Sequence, residues 1–260
     1  MRWCRFQSDG KVSYGIVEGR YVQPVAGTPF TRHRKYGKPL PLSRVHLQIP
    51  VFPPTFYAAG NLNYREHIAR LPEILGREGQ MPTEPGIGYR AQSALIAHDE
   101  PIIIPKDATD RIQYEAELCV VIGKEGKHIP KDKVKDYILG YTICNDFSER
   151  TWQTSTQSWR SKNADTFKPL GPWIETDLDL DAARTLVRIN GKVVQDFRTN
   201  NMIYDASDFI SLLTTYATIR PGDIIILGTD GVPQNVKPGD TIEIEITGLG
   251  VLRNPVVRET

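Results

Sequence analysis

Glu115 and Glu117 stand two residues apart in Tyr114-Glu115-Ala116-Glu117-Leu118-Cys119-Val120-Val121, alternating with apolar residues at 116, 118 and 120. Successive side chains of a strand point to opposite faces, so the two carboxylates would share one face. A half-exposed strand with solvated acids also fits that pattern. A third acid, Asp146, ends the apolar run Tyr141-Thr142-Ile143-Cys144-Asn145 and precedes a helix-like stretch holding Arg150 and Gln153. Three carboxylates in one cleft would repel one another and raise each other's pKa unless a cation neutralised them. An all-oxygen set of that charge suits a hard divalent ion, Mg2+ or Mn2+, with positions open to water or a substrate oxygen.

A lone histidine such as His67 could move a proton, but by itself it fits a surface or half-buried helix position. None of the five histidines, His33, His46, His67, His98 and His128, forms an H-E-x-x-H or H-x-H cluster, so a His-rich zinc site is not expected. Walker A and G-x-G-x-x-G patterns are absent. The basic run Arg32-His33-Arg34-Lys35 is short, and 32 Lys+Arg against 31 Asp+Glu leave a net charge of +1, so no nucleic-acid partner is expected. Cys4, Cys119 and Cys144 have neither metal-ligand nor redox spacing and read as reduced thiols of a cytoplasmic protein. The first residues hold no apolar signal region and the longest apolar runs are strand-sized, so no membrane span is expected.

The elements that must position these groups follow from pattern. The chain has 260 residues, 40% hydrophobic and 24% charged, which are ordinary globular values for one large domain or two modest ones. Arg2 to Gln7, Lys11 to Val17 and Arg20 to Val25 read as short strands joined by hairpin-type turns. A Pro- and Arg-rich link follows, giving a small N-terminal β domain and linker over 1–45 and a larger unit over 46–260. In that unit Thr55 to Ala59, Ile102 to Ile104, Tyr114 to Ile122 and Tyr141 to Asp146 read as strands. Tyr64 to Leu75 carries Ile68, Leu71 and Leu75 at helical spacing, and Pro130 opens a short helix with Val134, Tyr137 and Ile138 inward. Asn190-Gly191 predicts a two-residue hairpin, and Phe209, Leu212, Leu213 and Tyr216 share one face of a helix over Asp208 to Ala217. Arg220-Pro221-Gly222-Asp223 and Lys237-Pro238-Gly239-Asp240 are similar turns, each feeding a strand. Strands outnumber helices without alternating regularly with them, so the class is α+β and β-dominated.

Several pieces are linked in a fixed order: Gly60-Asn61-Leu62-Asn63-Tyr64-Arg65-Glu66-His67; Tyr114 to Leu118; Gly140-Tyr141 through Asn145-Asp146 to Arg150 and Gln153; Trp159-Arg160-Ser161-Lys162 with Asp165-Thr166-Phe167; Leu170-Gly171-Pro172-Trp173; Pro221-Gly222-Asp223; Gly228-Thr229; and Gly248-Leu249-Gly250. From Thr55 onward this series resembles the fumarylacetoacetate hydrolase family. The resemblance implies a mixed β-roll or sandwich with flanking helices, a small N-terminal β domain, and a homodimer. It implies Glu115, Glu117 and Asp146 as ligands of Mg2+ or Mn2+, with Lys162, Arg150 and Gln153 around them and Thr229 and Arg90 toward the substrate. His67 matches the family's lid histidine, which in hydrolytic members pairs with a glutamate three residues later. Here that position is Arg70, and an arginine beside His67 would lower the imidazole pKa. Gly228-Thr229-Asp230-Gly231 departs from the family's usual turn, and Tyr89-Arg90 has arginine where many members have lysine.

The activity expected from this resemblance is metal-dependent hydrolysis of a C-C bond in an acylpyruvate-like or 1,3-dioxo acid. Adjacent substrate oxygens would chelate the ion, Lys162 and Arg150 would hold developing charge, and His67 would deprotonate water. A decarboxylase or keto-enol isomerase of a 2-oxo acid needs no attacking water, so Arg70 would matter less to it. A relative that binds metal or metabolite without turnover is a third reading.

Overall fold

The strand Ala116–Ile122 is buried along its whole length, and the architecture extends outward from it. It pairs antiparallel with Ile138–Asn145 on one side and with Ile224–Ile226 on the other. Ile138–Asn145 pairs antiparallel with Lys168–Glu175, and Ile224–Ile226 runs parallel to Phe56–Ala59. The N-terminal strands Arg2–Ser8, Lys11–Glu18 and Tyr21–Ala26 join this large sheet where Arg2 pairs with Glu175 and Trp3 with Ile174. A second sheet runs in the order Ile102–Ile104, Gly250–Arg258, Thr241–Ile246, Arg184–Ile189, Lys192–Arg198. This β-dominated α+β arrangement comes from a computed structural model that describes residues 1–60, 62–76, 78–154 and 156–260. Asn61 of the motif quoted above lies outside the described residues.

Burial on both faces follows from alternation along the central strand. Leu118, Val120 and Ile122 enter the larger core with Phe209, Ile225 and Ile244, whereas Cys119 and Val121 enter a second core with Cys144, Ile224 and Ile226. Each such side chain, fully buried, stabilises by about 1.5–3 kcal/mol. A half-exposed strand with solvated acids is therefore not what forms here, because both glutamates are buried.

The turns behave as their residues dictate. Asn190 and Gly191 have φ of 53° and 77°, the left-handed pair that a two-residue hairpin demands. In both Pro-Gly turns the aspartate N-H closes on the first residue's carbonyl, Asp223 to Arg220 at 3.0 Å and Asp240 to Lys237 at 3.1 Å. The aspartate carboxylates accept in return from Arg220 N at 2.7 Å and Lys237 N at 2.9 Å.

Three expectations are corrected. The helix over 64–75 is two short helices, Arg65–Ala69 and Leu71–Leu75, joined at Arg70 with φ −99° and ψ 7°. Pro72 has no N-H to bond Ile68, and its ring would strike that carbonyl in a continuous helix. The segment opened by Pro130 is a 3-10 turn, Lys131–Tyr137, and Ile138 already begins the next strand. Tyr216, the last residue of the helix Ala206–Tyr216, extends past the packed surface and is 78% exposed, while Ile210 is buried in its place. That helix is opened by Asp205, which accepts from Ser207 N and Asp208 N as an N-cap.

Candidate active site

Strand register gathers the acids. Ala116 lies opposite Asn145 and Glu117 opposite Cys144, and one step beyond the ladder Asp146 N donates to Glu115 O at 2.9 Å. Directly opposed residues share a face, so Glu115, Glu117 and Asp146 project together. One carboxylate oxygen from each lies within 4.8 Å of the others, and all three residues are buried. Asn145 Oδ1 accepts from Glu115 N at 3.0 Å and fixes the start of the strand. Gly228 N donates to Glu117 Oε2 at 2.6 Å.

Cations converge on this set. Arg90 forks onto Asp146 through Nε and Nη2, both at 2.8 Å. Arg150 Nη1 lies 2.7 Å from Glu115 Oε1, and its Nε donates to Gln113 Oε1 at 2.6 Å. Lys162, on the short helix Arg160–Asn163, reaches Asp146 Oδ2 at 2.5 Å and also bonds Glu115. Lys168 Nζ, wholly buried, lies 3.0 Å from Asp146 Oδ1.

Protonation divides the acids. Burial alone would raise Glu115, but Arg150 and Lys162 outweigh it and hold that carboxyl below its ordinary value. Burial opposes Asp146 in the same way, and Arg90, Lys162 and Lys168 drive it well below the usual carboxylate range. Glu117 is pushed up to about 8 by burial and then by the Asp146 and Glu115 charges. It is the member of the set that most lacks a cation. An all-oxygen cluster with one under-neutralised carboxylate fits a hard divalent ion, so Glu115, Glu117 and Asp146 could hold Mg2+ or Mn2+.

His67 is 5% exposed and faces the same cavity. Its Nδ1 lies 2.6 Å from Gly231 O. A carbonyl can only accept, so Nδ1 carries the proton and Nε2 keeps a lone pair. Burial lowers the imidazole pKa; Glu115 raises it, and Arg150 and Lys162 add to the lowering. Arg70 has no part in this. It turns outward and pairs with Glu73, which corrects the expectation of an arginine beside His67. Among the described residues no carboxylate is hydrogen-bonded to His67, and the Gly231 carbonyl is the acceptor recorded for Nδ1.

These residues line a cavity of about 930 Å³. It is lined by the three acids with Arg90, Arg150, Lys162, Gln153 and Thr229, and by the apolar Leu62, Leu71, Leu75, Met81 and Pro82. Arg150 Nη2, Gln153 Oε1 and Thr229 Oγ1 are buried and have no hydrogen-bond partner within the chain. Buried polar atoms are nearly always satisfied, so three orphans lining one cavity mark where a ligand's polar atoms would sit. The positions reasoned from sequence thus come together in one place. Lys168 was missed, and the turn Gly228-Thr229-Asp230-Gly231 was singled out without the roles of its glycines, whose backbone atoms bond Glu117 and His67. The two glycines act through backbone atoms, which residue type does not signal, whereas Lys168 between Phe167 and Pro169 was a legible oddity, a charge inside an apolar run.

A family model described as fumarylacetoacetate (FAA) hydrolase C-terminal matches residues 57–257, and one described as Rv2993c-like, N-terminal matches residues 1–50. Protein Rv2993c of Mycobacterium tuberculosis is 37% identical over 270 residues, covering 100% of this chain and 99% of its own. Oxaloacetate tautomerase Fahd2a, mitochondrial, of Rattus norvegicus is 34% identical over 230 residues, covering 84% of this chain and 71% of its own. The crystal structure of 5-carboxymethyl-2-hydroxymuconate delta-isomerase from Mycobacterium smegmatis superposes with a TM-score of 0.89 at 35% identity over 100% of both chains.

Proposed function

The chain belongs to the fumarylacetoacetate hydrolase family, and on that premise we propose that it is a metal-dependent keto-enol isomerase of a small 2-oxo acid. The observation that carries this reading is the hydrogen bond from His67 Nδ1 to the Gly231 carbonyl. Activating water leaves an imidazolium that a paired carboxylate would hold. Relaying a proton between carbon and oxygen of one substrate returns it within the turnover, and for that a neutral, oriented base suffices. Relatives named as an isomerase and as a tautomerase, alike over most of this chain, support the same choice.

In this mechanism Mg2+ or Mn2+ held by Glu115, Glu117 and Asp146 would polarise the 2-oxo carbonyl. Arg150 Nη2 and the Thr229 hydroxyl, both unpartnered in the cavity, offer donors for the substrate carboxylate, and Gln153 Oε1 offers an acceptor for a substrate hydroxyl. The Lys162 ammonium lies beside the acids and stabilises negative charge developing on the substrate oxygen, in a site whose donors are already oriented. His67 Nε2 accepts the proton from the carbon next to the carbonyl and delivers it to the substrate's enolate oxygen, and the reverse transfer, from enol oxygen to carbon, gives ketonisation. Leu71, Met81 and Pro82 supply apolar lining that would limit water around a bound substrate.

Hydrolysis of an acylpyruvate-like acid is the second reading, favoured by a cavity larger than a small 2-oxo acid fills. A homodimer, a cytoplasmic location and the division into 1–45 and 46–260 belong to the proposal as well. Among the described residues no helix is long and apolar enough to cross a membrane.

The test uses EDTA-treated protein with Mg2+ restored, following the enol absorbance of oxaloacetate and identifying products by NMR. Metal-dependent ketonisation without cleavage is expected. Two acids released from an acylpyruvate, with no acceleration of ketonisation, would transfer the assignment to hydrolysis. Bound Mn2+ without turnover of either compound would make the protein a binding relative.

A further inference from the structure

Lys168 opens the strand Lys168–Glu175 and is 0% exposed. Its Nζ meets Asp146 Oδ1 at 3.0 Å, Phe147 O at 3.0 Å and Phe167 O at 2.8 Å. An ammonium has three donors and no acceptor, and here each donor has its own oxygen. No donor is left for a substrate, and the residue does not border the cavity. What Lys168 contributes to the site is a charge fixed beside one of the three acids. Lys162 and Arg90 also contact Asp146, but both border the cavity and can withdraw when an ion enters. Two of the three partners of Lys168 are backbone carbonyls of the segments that flank it, so it stays.

We propose that Lys168 is a fixed, buried counter-charge that weakens the grip of Glu115, Glu117 and Asp146 on their divalent ion and keeps that ion exchangeable. The inference rests on the reading of those acids as the ion site. A buried ammonium bonded to Asp146 repels the incoming dication and offsets part of the ligand charge, and a dry interior screens neither effect well. If Lys168 only held Asp146 in place, its loss would loosen that ligand and weaken ion binding. The two roles therefore predict opposite signs.

The experiment measures Mn2+ affinity of EDTA-treated full-length protein by calorimetry and by EPR of free Mn2+. Lys168→Met fills the volume without charge, and Lys168→Gln keeps a donor for the carbonyls. Both are expected to bind Mn2+ at least about tenfold more tightly than the wild type. Unchanged or weaker affinity in either folded variant overturns the proposal. So does failure of both to fold, because the lysine then serves the fold. A wild type that takes up no Mn2+ removes the ion site and this inference together. Uptake by the wild type, with variants of equal affinity, removes the inference alone.

Discussion

His67 Nδ1 lies 2.6 Å from the carbonyl oxygen of Gly231. The histidine follows the strand Phe56–Ala59 and the glycine follows Ile224–Ile226, and these strands run parallel as neighbours. Their C-terminal ends thus deliver a base and its acceptor to the same rim. Asn63 ties the two segments further: its Nδ2 donates to Leu227 O at 2.8 Å and Tyr204 O at 2.9 Å, and its Oδ1 accepts from Tyr204 N at 2.9 Å.

A pH dependence follows from the burial of His67, which holds the imidazole below its ordinary 6.5. A depressed folded value means that the neutral ring is favoured in the native state. Its stabilising contribution is complete above the unfolded value of 6.5 and is lost as pH falls through the lower folded value. Activity that needs the Nε2 lone pair moves in the same direction. With saturating Mg2+, kcat/KM for ketonisation should stay level near neutrality and fall on the acid side below pH 6.5. In His67→Gln the rate should drop by about 10²–10⁴-fold and the acid limb should vanish. An acid limb centred above 6.5 would contradict the assignment.

Gly231 holds its carbonyl in place from a left-handed conformation, φ 65°. A Cβ there would lie 3.0 Å from Gln195 Nε2, which itself donates to the Asp230 carbonyl. Gly231→Ala should lower stability by about 1–2 kcal/mol and lower kcat more than it raises KM. Mn2+ affinity should not change, since Gly231 itself touches none of the three acids and the turn's bond to Glu117 is made three residues earlier, at Gly228 N. Thermal unfolding, steady-state kinetics and a metal titration on one preparation decide this; an equal loss of Mn2+ affinity would show that the strain at Gly231 reaches Gly228 and its bond to Glu117.

Glu117→Gln keeps the shape of the side chain and can still accept from Gly228 N. It removes the least neutralised carboxylate of the set. Because changes beyond the direct ligands already cost about 10–100-fold in metal affinity, loss of a direct ligand should cost at least that much. Mg2+ should raise the melting temperature of EDTA-treated wild type by mass action and leave the variant unmoved. Equal rises in both would exclude Glu117 from the ion site.

Arg150 uses Nη1 on Glu115 and Nε on Gln113, which leaves Nη2 as the buried orphan. A lysine supplies charge without the planar fork and cannot meet these directions at once. Arg150→Lys should therefore raise KM by roughly tenfold or more while the chain stays folded. An unchanged KM would mean that the substrate carboxylate binds elsewhere.

Much of the site was legible because strand periodicity is strict. Glu115 and Glu117 share a face by spacing alone, whereas the approach of Asp146 to them came only with the family resemblance, since the pairing of Ala116–Ile122 with Ile138–Asn145 spans a long intervening segment. The proline turns at 221 and 238 and the hairpin at 190 were equally plain, since each requires a residue type that few other contexts favour. Burial on both faces of Ala116–Ile122 was not legible, because an alternating acid and apolar pattern describes a one-sided strand equally well. Nor was the orientation of His67, which depends on a backbone carbonyl 164 positions away.

The same gap between spacing and geometry governs Arg70. Three residues after His67, a continuous helix would have placed it one turn along the same face, close enough to act on the imidazole. Pro72 ends that helix at the preceding turn, and the guanidinium goes to Glu73 instead, Nη2 to Oε2 at 2.6 Å, in a side chain 46% exposed. Water screens a charge so placed. Arg70→Ala should therefore reproduce the wild-type pH profile, rates and products. Arg70→Glu should not create hydrolysis of an acylpyruvate, because the broken helix directs that position to solvent and leaves His67 bonded to Gly231. The acid limb of kcat/KM for both variants, measured beside the wild type, checks the argument. A limb that moves upward in pH when the arginine is removed would show that its charge reaches the histidine after all.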